Sequence, residues 1–125
     1  MALKFEQIET FEKLHTQIDG VYAELCILSK KSPDGAINQF KLKLINQIIA
    51  SANELLGEPY KPFNDFVIFN DEDLPTNSDV AFIISQYIKC LEKLKFDNIE
   101  RSGRHWCWRG GSERITSSPA RELYL

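Results

Sequence analysis

The chain has little of what fixes many small proteins by covalent or metal chemistry. Three cysteines occur in 125 residues. Cys26, Cys90 and Cys107 are far apart, include no C-x-x-C pair and are odd in number. Such a set excludes a disulfide framework and, with no secretory leader legible at the start, points to a reducing, cytoplasmic setting. Histidine is scarcer still, with His15 and His105 alone, so a zinc site would want for ligands. The longest apolar run, Val80 to Ile84, is far too short to cross a bilayer, and no membrane partner is expected. An excess of positive charge is absent too: the formal net charge is −3, so no basic field draws the whole molecule to nucleic acid.

Two further absences divide the chain. Residues 1–95 carry ten lysines and no arginine, whereas residues 96–125 carry five arginines and no lysine. Both tryptophans and three of the six glycines lie in the second segment. The first segment sets its ten lysines against fourteen acids, a net −4, and the second its five arginines against four acids, a net +1. The expected organisation is a helical body over 1–95 and an Arg/Trp-rich tail over 96–125. Composition is otherwise that of an ordinary globular protein, with 43% hydrophobic and 26% charged residues, long enough to bury about two-thirds of its unfolded surface.

What is present is helical periodicity. Phe5, Ile8, Phe11, Leu14, Ile18, Val21, Leu25 and Leu28 follow one another at steps of three and four, which predicts a helix over 4–29 about 39 Å long. The run Lys30-Lys31-Ser32-Pro33-Asp34-Gly35 stops it, with cations at the negative end of the helix dipole, and Asp34 can cap the next helix. A second stripe through Ile37, Phe40, Leu44, Ile48, Ala52 and Leu55, widened by Ile45, Ile49 and Leu56, predicts a helix over 35–57 ended by Gly57 and Pro59. The connection is short, so the two return antiparallel as an αα-hairpin. Tyr60, Phe63, Phe66 and Phe69 are too many aromatics for a solvated loop and should cover the hairpin's open side. Thr76 and Asp79 form a capping box for a third helix over 77–95, with Val80, Ile83, Ile84, Tyr87, Ile88, Leu91 and Leu94 inward. The fold class is mainly α: a three-helix bundle built on a long αα-hairpin.

The tail holds the β signal. Gly110-Gly111 separates two short runs that can pair as a hairpin over 105–116, with Trp106 opposite Ile115 and Trp108 opposite Glu113. Trp106, Trp108 and Ile115 then share one face. A lone hairpin is marginal in water, so that face must dock on the bundle or on a partner.

Candidate chemistry is sparse. Glu12 and His15 have the E-x-x-H spacing of carboxylate-bridged di-metal bundles, but no second copy exists, so they read as an exposed charged pair beside the stripe. Asp71, Asp73, Asn77 and Asp79 lack the glycine and terminal glutamate of a calcium loop. His105 and Cys107 alternate along a strand without the third group a nucleophile pair needs. Arg101 and His105 stand closer together than the Arg and His of the HEPN ribonucleases, and that resemblance is not carried over. The order Trp108, Gly110, Gly111, Arg114, Pro119 is similar to the minor-groove loop of H-NS-type nucleoid proteins but departs from its spacing, so no family is assigned.

No enzyme, metal or cofactor is expected. The expectation is a non-enzymatic protein-interaction or oligomerisation module, with a homo-oligomer interface on the first helix around Phe11, Ile18, Gly20 and Leu25. The alternative is nucleic-acid, nucleotide or phosphate-ligand binding through Arg104, His105, Trp106, Trp108, Arg109 and Arg114. Arginine forks bind phosphate bidentately and indole faces stack on bases.

Overall fold

The computed structural model describes residues 3–110 and 115–121. Helices α1 (Phe5–Lys31), α2 (Gln39–Tyr60) and α3 (Asn77–Asn98) are followed by strands β1 (Ile99–Ser102), β2 (His105–Trp108) and β3 (Thr116–Ser117). The fold is mainly α, with each helix packed on the other two and a small antiparallel sheet of order β1-β2-β3 at one end.

Helix α1 buries the expected stripe. Ile8, Phe11, Leu14, Ile18 and Leu25 are interior, while Phe5, one turn ahead of Ile8, is exposed. The connection to α2 is longer than expected. Asn38, not Asp34, caps α2, its Oδ1 accepting from the amides of Phe40 at 2.8 Å and Lys41 at 3.2 Å. The intervening residues are used to hold α3. Ala36 bridges Thr76, and the Asn77 amide donates to the Gly35 carbonyl at 2.8 Å. At the other end of α2, Gly57 has φ 64 and interrupts the helix, and a further turn runs on through Pro59 to Tyr60. Glycine alone adopts that backbone without penalty.

The buried stripe of α2 differs from the expected one. Leu42, Ile45, Ile49, Ala52 and Leu56 face the core, whereas Phe40 and Leu44 are exposed. Both sets have helical spacing; the set that packs is the one rotated toward α1 and α3. Helix α3 behaves as expected, with Val80, Ile84, Tyr87, Ile88, Leu91 and Leu94 buried. Its capping box forms, with the Asp79 amide donating to Thr76 Oγ1 at 3.1 Å and the Thr76 amide to Asp79 Oδ2 at 3.2 Å.

In the sheet, a tight turn at Gly103-Arg104 joins β1 to β2, a strand pair not expected. The expected hairpin over 105–116 is present as the antiparallel pair β2–β3, with residues 111–114 of its connection outside the described residues. Gly103 has φ 63 and occupies the first central position of a two-residue loop, where type II′ turns take glycine. Ile99 pairs with Trp108 and Ser102 with His105, while Trp106 pairs with Ser117 and Cys107 with Thr116. Relative to the expected pairing of Trp106 with Ile115, the β2–β3 register is displaced by two residues. A displacement of two preserves the face of every side chain, so the tryptophans still project to one side. Trp108 and Ile99 enter the same hydrophobic core as the three helices, so the compositional break after Lys95 is not a break in packing.

Candidate functional site

Three places collect side chains with chemistry to offer. At the sheet, Trp108 is buried against Phe11, the two rings edge-on at 5.0 Å between centroids. Its Nε1–H donates to Glu12 Oε1 at 3.1 Å. Arg109 is partly committed as well, with Nε donating to the Ile99 carbonyl at 3.1 Å. Arg104 and His105 are exposed around the β1–β2 turn, and Trp106 is half-buried beneath the Arg101 guanidinium at 5.9 Å. Arg114 lies outside the described residues. The six residues proposed from sequence therefore divide: Trp108 belongs to the core, while Arg104, His105 and one edge of Trp106 remain open to a ligand.

The interface residues proposed on α1 divide as well. Phe11, Ile18 and Leu25 are interior side chains that meet their own bundle, not solvent. Gly20 is exposed, with nothing within 4 Å of where a Cβ would stand. Phe11, Ile18 and Leu25 are therefore not available to a second copy of α1 in the folded bundle.

The second place is a charge cluster between α1, α3 and residues 118–121. Glu92 is 0% exposed and Lys95 2%, side by side on the inner face of α3. Glu92 Oε1 lies 3.2 Å from Arg121 Nε and accepts from the Arg121 backbone amide at 3.3 Å, and Oε2 lies 3.3 Å from His15 Nε2. His15 Nδ1 lies 3.6 Å from Asp19, which also pairs with Arg121. Lys95 Nζ donates to Ser118 Oγ. Burial alone would push the Glu92 carboxyl up, but His15, Arg121 and Lys95 outweigh it and hold the carboxyl below its ordinary value. Burial lowers Lys95, against the pull of Glu92 and Glu12. Glu12 is exposed, as its position beside the stripe suggested, yet it accepts from Trp108, and the half-buried His15 belongs to the tertiary network around Glu92. Neither buried nor pivotal status for Glu92 and Lys95 is marked in the sequence. Their one signal is position: both fall within the apolar arc of α3 set by Ile88 and Leu91. Glu92, His15, Asp19 and Arg121 pair with one another, and Lys95 with the Ser118 hydroxyl, which makes the cluster a clasp for the tail.

The third place is the outer face of α2 with the segment beside it. Asn46 grips the Phe69 backbone in both directions, Nδ2 to the carbonyl and amide to Oδ1, each at 2.9 Å. Asn53 Nδ2 donates to the Val67 carbonyl at 2.9 Å and its Oδ1 accepts from Tyr87 Oη at 2.6 Å. Phe66 and Phe69 turn inward, edge-on to each other at 5.0 Å, and partly cover the core. The alternation that buries them sends Val67 and Ile68 outward, where they are exposed. Phe40, 72% exposed, stands beside Ile68 at a cleft of about 880 Å³ also lined by Lys43, Asn46, Asn70 and Glu72. Sequence reasoning assigned Phe40 and Leu44 to the core and so missed this surface. The coexistence of two helical stripes on α2, one more than a core requires, is the signal that could have found it.

Among the described residues, no group of three or more His, Cys, Asp or Glu side chains is placed to hold a metal ion. No helix among them is long and apolar enough to cross a membrane. No family model, curated protein or solved structure matches the chain, so the functional reading rests on these residues.

Proposed function

We propose that this protein is a non-enzymatic protein-interaction module whose contact surface is the outer face of α2 and the segment through Val67 and Ile68. The observation that carries the reading is Phe40, 72% exposed, at one cleft with exposed Ile68, next to which Val67 is exposed as well. Single exposed apolar residues are ordinary, but a contiguous set rimmed by polar groups marks an interaction surface. Asn46 and Asn53 fix the backbone that presents Val67 and Ile68, so little ordering entropy opposes binding there.

The test is a photo-crosslinking phenylalanine analogue in place of Phe40, with the same probe in place of exposed Glu54 on the same helix as control. The reading expects discrete adducts from the Phe40 probe and none from the control, identified by mass spectrometry. Equal labelling from the two positions overturns it.

A second reading is favoured by one observation: Arg101, Arg104 and His105 are exposed around a single tight turn, with Arg101 over Trp106. Guanidinium groups beside an indole edge suit a nucleotide or a single strand. Binding of a fluorescent oligonucleotide that falls steeply with added salt, and is lost in Arg101→Ala with Arg104→Ala, is the expected result. Salt-independent binding, or none, removes this reading.

A further inference from the structure

We infer that the partner of the α2 face is a second copy of this chain, paired about a two-fold axis. The inference rests on the interaction reading above and names its occupant. Three features of the face argue for it. First, a protruding apolar side chain and a recess lie side by side, for Phe40 projects next to the cleft it helps to line with Ile68. A two-fold pairing brings the same patch of each protomer together, so projection and recess must coexist on one patch. Second, the described side chains lining the cleft include one cation and one anion, Lys43 on α2 and Glu72 on the neighbouring segment. A two-fold pairing that seats each Phe40 in the other cleft sets each Lys43 toward the other Glu72. Third, a partner segment of uniform charge is disfavoured. An acidic one would meet Glu72 and a basic one Lys43, and like charges brought together at an interface are selected against. Among the described residues, the cleft presents Phe40 and Ile68 as exposed large apolar groups. Such a patch belongs to the small interface class and supports a transient dimer.

Sedimentation velocity on the full chain, from low micromolar to hundreds of micromolar, should show a concentration-dependent monomer–dimer equilibrium. Phe40→Ser should abolish it while leaving the circular dichroism spectrum unchanged. Lys43→Glu and Glu72→Lys should each weaken dimerisation about tenfold or more, because each creates two repulsive pairs. An equimolar mixture of those two variants should recover it as a heterodimer, since both cross-pairs then regain opposite charge. A wild-type chain that stays monomeric throughout overturns the inference, and so do charge reversals without effect or a mixture that fails to recover. Phe40 crosslinks to an unrelated protein beside a monomeric chain would keep the interaction reading and reject the second copy. Absence of any specific Phe40 crosslink rejects both.

Discussion

Trp108 Nε1 donates to Glu12 Oε1 across 96 positions of sequence, while Trp106, two residues earlier in the same strand, keeps an edge in solvent. The two indoles should therefore report separately. Trp106→Phe leaves an emission spectrum shifted to the blue and resistant to iodide quenching; Trp108→Phe leaves one that is redder and readily quenched. Trp108→Ala should cost about 3–5 kcal/mol in urea unfolding, as large-to-small core substitutions do. Equal quenching in the two phenylalanine variants would show that Trp108 is not buried.

Glu92 and Lys95 are both interior. Glu92 is paired with His15 and Arg121, whereas Lys95 donates to Ser118 and feels the Glu92 charge. Glu92→Ala, which takes the buried partner from His15 and Arg121, should destabilise by about 3–5 kcal/mol, and Lys95→Ala by less, because Glu92 keeps its other cations. Lys95→Met combined with Glu92→Leu should cost less than the sum of its single changes. A double-mutant cycle in urea measures the coupling, and strict additivity would mean that the two groups do not interact.

The same pair sets a pH dependence. Glu92 holds its proton less tightly in the folded chain than its ordinary value of 4.5. Its contribution to stability is thus complete above that value and is lost as pH falls through the lower folded value. Lys95 is also lowered, from 10.5, so the unfolded chain binds more protons over that interval and stability contributed by this group rises with pH there. Urea midpoints should fall on acidification below the ordinary glutamate range, and Glu92→Gln should flatten that fall. A wild-type profile that is level across the acid range would contradict this assignment.

Tyr60 Oη donates to Asp97 Oδ2 at 2.6 Å, and that bond, with burial added, pushes the phenol up to about 12. A raised value means stability present below pH 10 and lost as pH climbs through the folded value. Tyr22 and Tyr87 are raised as well, so absorbance at the phenolate band should show several late tyrosines, of which Asp97→Asn should bring one earlier. A late phase unchanged in Asp97→Asn would rule out that hydrogen bond.

Gly20 sits on the solvent side of α1 with open space around it. Gly20→Ala should raise stability by about 1 kcal/mol through helix propensity alone. A loss of stability would reveal a close neighbour that the folded monomer does not have.

Periodicity made the helices legible because three amphipathic segments had one compatible way to pack. It failed on α2, where Phe40 and Leu44 keep the same spacing as Leu42, Ile45 and Ile49. Spacing identifies a stripe but does not say which of two stripes the neighbours cover. The β1 strand escaped notice because Ile99-Glu100-Arg101-Ser102 contains one β-branched apolar residue, and its partner strand supplies the pairing. The tail's docking followed from the instability of a lone hairpin, but its means of attachment did not. Glu12, His15, Asp19, Glu92, Lys95 and Arg121 come from three distant segments, and no local pattern encodes their convergence. The exposed face of Val67 and Ile68 was equally hidden, since it depends on Asn46 and Asn53 acting through their side chains on a backbone some twenty and fourteen positions away.

The clasp of Arg121 on His15, Asp19 and Glu92 also sets the order of events at synthesis. Arg121 reaches Asp19 over 102 positions and His15 over 106. While the ribosome is still making the tail, α1, α2 and α3 have all been translated, yet Glu92 and Lys95 have no companions from residues 118–121. The interior face of α3 then carries two charges that resist burial, and the three helices close less firmly on each other. A chain cut before Ser118 keeps His15 as a partner for Glu92 but loses Arg121 and Ser118, and should unfold at lower urea than the full chain.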